Sequence, residues 1–204
     1  MTKITRKPDS EKILAGLGFT TAVAGEIYGT YMAFVYFTPF VGGMIADRLL
    51  GYRRSVLIGG LLLAAGYFAL GIRSMPTFYA GLALLCFGNG LLKPNISAMV
   101  GTLYAPDDPR RDAGFNICYM GINIGATISA LLAAPIRNYW NFNMAFTAAG
   151  IGMMIGVVIL ILNWKTLAAA DRKPDIKEGD FGLKQLFLTI LAPAFAVGII
   201  GYFV

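Results

Sequence analysis

Histidine is absent from this 204-residue chain, cysteine occurs only twice, and charged side chains make up just 14% of it. Without histidine there is no imidazole base, no histidine proton relay and no histidine metal ligand. Cys86 and Cys118 lie far apart, each inside an apolar stretch, and read as two small apolar side chains rather than a disulfide or a metal pair. Gly88-x-Gly90 lacks the spacing of a phosphate loop, and the Asn95-Ile96-Ser97 sequon lies within an apolar stretch, out of reach of glycosylation. No acids and thiols cluster as in a metal or hydrolytic site, so neither an enzyme nor a metal cofactor is expected. Globular domains carry about 25% charged residues and roughly 45–50% apolar ones. At 57% apolar, this chain does not have the composition of a soluble or secreted domain.

What it has instead is length without charge. Uncharged runs occupy 27–46, 55–72, 74–92, 113–136, 138–164 and 185–204, and a helix needs about 20 residues to cross a ~30 Å hydrocarbon core. The fold class expected is all-α: a polytopic integral membrane protein with five complete spans and a terminal sixth. The spans fall at about 19–45, 55–72, 77–103, 113–136 and 142–164, broken by Asp47–Arg54, by Arg73, Ser74 and Pro76, and by Pro106–Pro109. Residues 1–18 are polar, of mixed charge, and lack the apolar stretch of a signal peptide. The domain reading is an external polar segment at 1–18, a transmembrane bundle at 19–164, a cytoplasmic linker at 165–184 and a further helix at 185–204.

The net charge of +6 could signal nucleic-acid binding, but the basic residues sit at the ends of the apolar runs, where they set topology. Arg48, Arg53, Arg54, Arg110, Arg111, Lys165, Arg172, Lys173, Lys177 and Lys184 fall in one set of loops, against Arg73 and Arg137 in the other. The first set is expected to be cytoplasmic, which leaves Lys3, Arg6, Lys7 and Lys12 outside. A basic leader outside with nothing apolar before it, and a last run without a polar flank, lead to the expectation that both ends are truncated. Gly25/Gly29, Gly121/Gly125 and Gly152/Gly156 have the spacing that lets helix backbones approach closely, although 25 glycines also produce such pairs by chance.

Ionisable and polar groups within spans are the site candidates, since a charge at mid-membrane costs at least about 2.5–3.5 kcal/mol and so faces a cavity or a partner. Lys93 follows nineteen uncharged residues and precedes thirteen, in the setting Gly88-Asn89-Gly90-Leu91-Leu92-Lys93-Pro94-Asn95. The competing reading is a lysine that snorkels to the cytoplasmic face. Asn123, in Met120-Gly121-Ile122-Asn123-Ile124-Gly125, offers amide donors and an acceptor, for a substrate or for a neighbouring helix. Tyr36, beside Thr38 and Pro39, could present a phenol to a substrate or simply pack. Asp47, Arg48, Arg53 and Arg54 make a compact charged turn after Gly42-Gly43, able to lock helices through charge-assisted hydrogen bonds to helix ends and to each other.

GGMIADRLLGYRR (42–54) resembles the cytoplasmic loop motif of the major facilitator superfamily. Together with GNGLLKPNISAMVG (88–101) and FNICYMGINIGA (115–126), it resembles the proton-dependent oligopeptide transporter family, the peptide–proton symporters, from about Gly18 to Trp164. The resemblance implies two six-helix bundles, of which this chain supplies helices two to six of the first. It implies substrate binding by Tyr36, Lys93 and Asn123 and proton coupling at Lys93. Gly43, Asp47, Arg48 and Arg54 would form the gating and structural loop. Small peptides and protons are then the expected partners, in a bacterial inner membrane, with the proton as co-substrate and no other cofactor. Nothing in residues 1–26 matches the family's first-helix E-x-x-E-R motif, and the second bundle is missing. A facilitator for another solute, or a truncated membrane protein that transports nothing, are the alternatives.

Overall fold

The computed structural model describes residues 19–105 and 107–171, which form five long helices. These are α1 (Thr21–Ile45), α2 (Tyr52–Gly71), α3 (Met75–Thr102), α4 (Arg110–Tyr139) and α5 (Phe142–Leu162). All five are long and apolar enough to cross a membrane, and their ends fall within about three residues of those read from the apolar runs, which is the ordinary fraying uncertainty of helix ends. The 1–18 segment and the 185–204 helix lie outside the described residues.

Local chemistry explains the ends. The Thr20 hydroxyl accepts from the Val23 amide at 3.4 Å, and the Asn141 side chain accepts from the Met144 amide at 2.9 Å, so each caps the helix it precedes. The α1 helix runs on through Pro39 into a wider π-helical turn, Ala46–Leu50, that carries the charged motif. It stops at Gly51, whose φ of 76° is open to glycine and strained for other residues.

The α3 helix is central. Thr38 on α1 donates its hydroxyl to the Cys86 carbonyl at 2.8 Å, Asn89 donates to Val35 at 3.3 Å, and buried Asn95 donates to Gly42 at 3.4 Å. From Cys86 near the Tyr31 carbonyl to Asn95 on the Gly42 carbonyl, the contacts advance along both helices in the same direction, so α1 and α3 run parallel. Proline at 94 has no N–H, which leaves the Gly90 carbonyl without its helical donor. That carbonyl lies against Gly42, and a Cβ at Gly90 would meet Thr38 at 2.7 Å. The α2 helix packs antiparallel on α3 through Gly59 against Gly88 and Gly66 against Gly81. Leu63, Leu70 and Leu85 form a core there with Tyr31, Tyr67 and Phe78. On the other side of α2 lies α5, with Phe68 against Gly150 and Asn143 donating to the Gly71 carbonyl at 2.9 Å.

The close approaches are therefore not those that the sequence spacing picks out. A Cβ at Gly25, Gly29, Gly121, Gly125, Gly152 or Gly156 meets nothing within 4 Å among the described residues. The spacing marks a smooth helix face but not which face a neighbour uses. No residue of α4 is buried; it meets α3 near its start, where Gly114 lies against Tyr104 and Phe115 against Gly101. Residues 165–171, read as the start of a linker, include a short 3-10 turn (Thr166–Ala170) that packs into the bundle: Ala170 and Leu167 join Val56, Met99 and Leu160 in a second core. Cys86 is buried and Cys118 half-buried, and both are free thiols.

Candidate functional site

Lys93 is nine residues from the end of α3 and Tyr36 nine from the end of α1, roughly 14 Å along each axis at 1.5 Å per residue. Asn123, thirteen residues into α4, stands roughly 20 Å from the same end of the bundle. All three therefore lie at the middle depth of helices built to cross a ~30 Å core. All three are also exposed, Tyr36 to 77%.

The hydrogen bonds between α1 and α3 set the level of Tyr36 against that of Lys93. Residue 35 meets residue 89 and residue 42 meets residue 95, so the two side chains leave neighbouring parallel helices within about one helical turn of each other. Lys93 makes no hydrogen bond or ion pair among the described residues, and neither does the Tyr36 hydroxyl. Asn123 is not brought into contact with either. Its amide nitrogen donates to the Tyr119 carbonyl at 2.9 Å, one turn back, and its side-chain oxygen has no partner among the described residues. Asn116, Tyr119, Asn123 and Thr127 line a shallow open groove of about 550 Å³ along α4. Sequence reasoning passed over Asn116 and Thr127, although their positions at seven residues before and four after Asn123 place them on its face.

Within the charged turn, one of the four residues able to lock helices does so among the described residues. Gly43 faces Pro94, where a Cβ would make an ordinary 4.0 Å contact. Asp47 and Arg54 are exposed and Arg48 half-buried; none of the three has a hydrogen bond or ion pair among the described residues. The lock that the motif does contain belongs to Arg53. Its Nε lies 3.2 Å from the Asp171 carboxylate as an ion pair outside hydrogen-bond geometry. Its backbone N–H donates to the same carboxylate at 3.1 Å, its Nη1 donates to the Trp164 carbonyl at 2.6 Å, and its guanidinium lies 4.2 Å from the Trp164 ring centre. No sequence signal points to this partner, which is 118 residues away.

At the α3–α4 connection the Arg110 guanidinium donates twice to Asp108, at 3.0 and 2.8 Å, and the Arg110 amide donates a third time at 2.9 Å. The side-chain bonds are the larger cause and the backbone bond the next, and they hold the Asp108 carboxyl at about 2. No three acidic, thiol or imidazole groups among the described residues converge as a metal site.

The POT family profile (PTR2) matches residues 53–190, more than half of the chain. A di-/tripeptide transporter of Lactococcus lactis is 39% identical over 194 residues, covering 93% of this chain and 38% of the relative. An uncharacterised transporter of Bacillus subtilis, YclF, is 40% identical over 157 residues, covering 76% of this chain and 32% of the relative. The chain thus spans about a third of the length of these curated relatives. Among solved structures, a peptide transporter POT in complex with alafosfalin superposes with a TM-score of 0.77 at 37% identity, covering 90% of this chain and 39% of that one. A POT family transporter in complex with 5-aminolevulinic acid superposes with a TM-score of 0.73 at 34% identity, covering 92% and 39%.

Proposed function

This chain belongs to the POT family, a family of transporters, and from that premise we propose that it forms part of a proton-coupled symporter carrying di- and tripeptides across the cytoplasmic membrane. The observation that carries the reading is the exposure of Tyr36, Lys93 and Asn123, three polar groups at the middle depth of apolar helices. A short peptide offers a carboxylate for an ammonium, and amides for a side-chain amide and a phenol. Lys93 is then both the peptide contact and the coupling residue, exchanging a carboxylate partner for the substrate as protons move, with the proton as the co-substrate.

In this reading residues 19–164 supply helices two to six of the first bundle, residues 165–184 form a cytoplasmic connection and residues 185–204 a further helix. Gly43, Asp47, Arg48 and Arg54 belong to the gating loop. Alternating access needs two bundles rocking about a midplane site, and in this reading these helices form one wall of the cavity.

The test is uptake of a labelled dipeptide by cells expressing this chain, its in-frame extension, or the extension carrying Lys93→Ala, with the proton gradient intact or collapsed. Gradient-dependent uptake by the extension alone is expected. Loss of a charge-assisted contact, typically about 1.5–3 kcal/mol, should cut uptake by at least about tenfold in the Lys93→Ala form. No uptake by an extension that is present in the membrane sinks the peptide assignment. Full activity in the Lys93→Ala form sinks the site, and indifference to the gradient sinks the coupling.

A further inference from the structure

Three helices end at the same place. The start of α2, the end of α3 and the end of α5 all contact residues 164–171. The α2 helix begins at Gly51, which has no side chain to cap it. Asp171 supplies the missing acceptor from a distant part of the chain, taking the Arg53 amide at 3.1 Å. A carboxylate at a helix N-terminus is also the favourable charge for the helix dipole.

The complement occurs at α5. The last carbonyls of a helix lack intrahelical donors, and just beyond Leu162 the Trp164 carbonyl receives Arg53 Nη1 at 2.6 Å. A cation is the favourable charge at that end. At α3 the Thr102 hydroxyl donates to the Ala170 carbonyl at 2.8 Å, and Ala170 is wholly buried against Val56 and Met99. Arg53 and Asp171 are themselves largely covered, at 17% and 14% side-chain exposure, and the Trp164 ring lies over the guanidinium. Burial of this kind makes an ion pair costly to break from one side. The two elements outside the cluster contrast with it: α4 has no buried residue, and the π-helical turn after α1 holds Asp47 without a partner among the described residues.

The structure assigns a latch to this cluster: Arg53, Trp164 and Asp171 clamp residues 165–171 against α2 and α3, and the ends of α2, α3 and α5 move as one body. Arg53 and Asp171 are positioning residues that touch no substrate. The latch deepens the transport reading and rests on it only for the effect on turnover.

The test uses the full-length transporter in membranes. Lys165 is exposed beside the latch, so trypsin cleavage after it reports how often the segment opens. Cleavage of a transiently opened state follows its population, and loss of a charge-assisted contact raises that population by about tenfold or more. Asp171→Asn and Arg53→Gln should each speed cleavage by that factor. The double variant should be no faster than the single ones, because residues in one network do not act additively. Asp112→Asn, which removes an acid in the first turn of α4, should leave the rate unchanged. Dipeptide half-saturation should stay at the wild-type value in Asp171→Asn while turnover falls severalfold.

Unchanged cleavage, or single effects that multiply in the double variant, overturns the latch. Faster cleavage with full turnover overturns its role in transport. If Arg53→Gln does not reach the membrane, Asp171→Asn, which keeps every basic residue, decides the matter alone. Failure of the wild type to take up dipeptide would fall on the peptide assignment, and the cleavage rates would still judge the latch.

Discussion

Asp108 stands at the mouth of α4 with three hydrogen bonds from Arg110, one of them from the backbone. Its folded carboxyl, at about 2, is below the ordinary 3.8. A lowered acid stabilises the folded state wherever the unfolded state would bind the extra proton. The contribution is therefore whole above the ordinary value and is lost as pH falls through the folded one. Arg110 is 80% exposed, so solvent screens the pair and the effect is small. Thermal unfolding of the purified full-length protein should show a small gap between wild type and Asp108→Asn that is constant above about pH 5 and closes between about pH 4 and 2. A gap that widens on acidification would mean that Asp108 is not held as its hydrogen bonds imply. Residues of this kind are legible from sequence because their partners are neighbours. Lys93 is legible for another reason, since a charge amid uncharged residues is conspicuous whatever it contacts. Asp171 is neither near its partner nor in an apolar setting, and nothing in the sequence distinguishes it from the other acids around it.

Helices were the most legible elements and their contacts the least. Length without charge is a property of one segment, and it located all five spans. Which face meets a neighbour is a property of two segments. Lipid provides no hydrophobic drive to sort the faces, so close packing of small residues decides. Neither Gly42 nor Gly90 belongs to a Gly-xxx-Gly pair within its helix, yet they are where α1 and α3 touch. Gly25 and Gly29 have the motif spacing and touch nothing described. Gly42→Ala should therefore destabilise the detergent-solubilised full-length protein by about 1–3 kcal/mol, the usual cost of overpacking. Gly25→Ala should be neutral or stabilising by up to about 1 kcal/mol through helix propensity. Equal effects from the two substitutions would show that the parallel α1–α3 contact is not the seam described. The same contact aligns Tyr36 with Lys93, so Gly42→Ala is also expected to weaken any function that needs both side chains at one level.

At the scale of the whole molecule, charge and packing make the same assignment of ends. Arg48, Arg53 and Arg54 follow α1, Arg110 and Arg111 open α4, and Lys165 follows α5. The bonds from Arg53 to Trp164 and from Thr102 to Ala170 gather the junction of α1 with α2, the end of α3 and the end of α5 at one face. The other face, where Asn143 meets Gly71, holds Arg73 and Arg137. Basic residues are retained on the cytoplasmic side, so the latch and the charged turn are expected to face the cytoplasm and the α4–α5 turn to face outward. In the full-length protein with its cysteines removed, a single cysteine at Asn138 should react with a membrane-impermeant maleimide in intact cells. One at Asp107 should react only after permeabilisation. The reverse pattern would turn the bundle over and place the Arg53 latch outside, where it could not belong to a cytoplasmic gate. Asn138 and Asp107 lie outside the close helix contacts described, in short exposed connections or helix ends, so labelling there tests orientation without disturbing the packing that sets the level of Lys93.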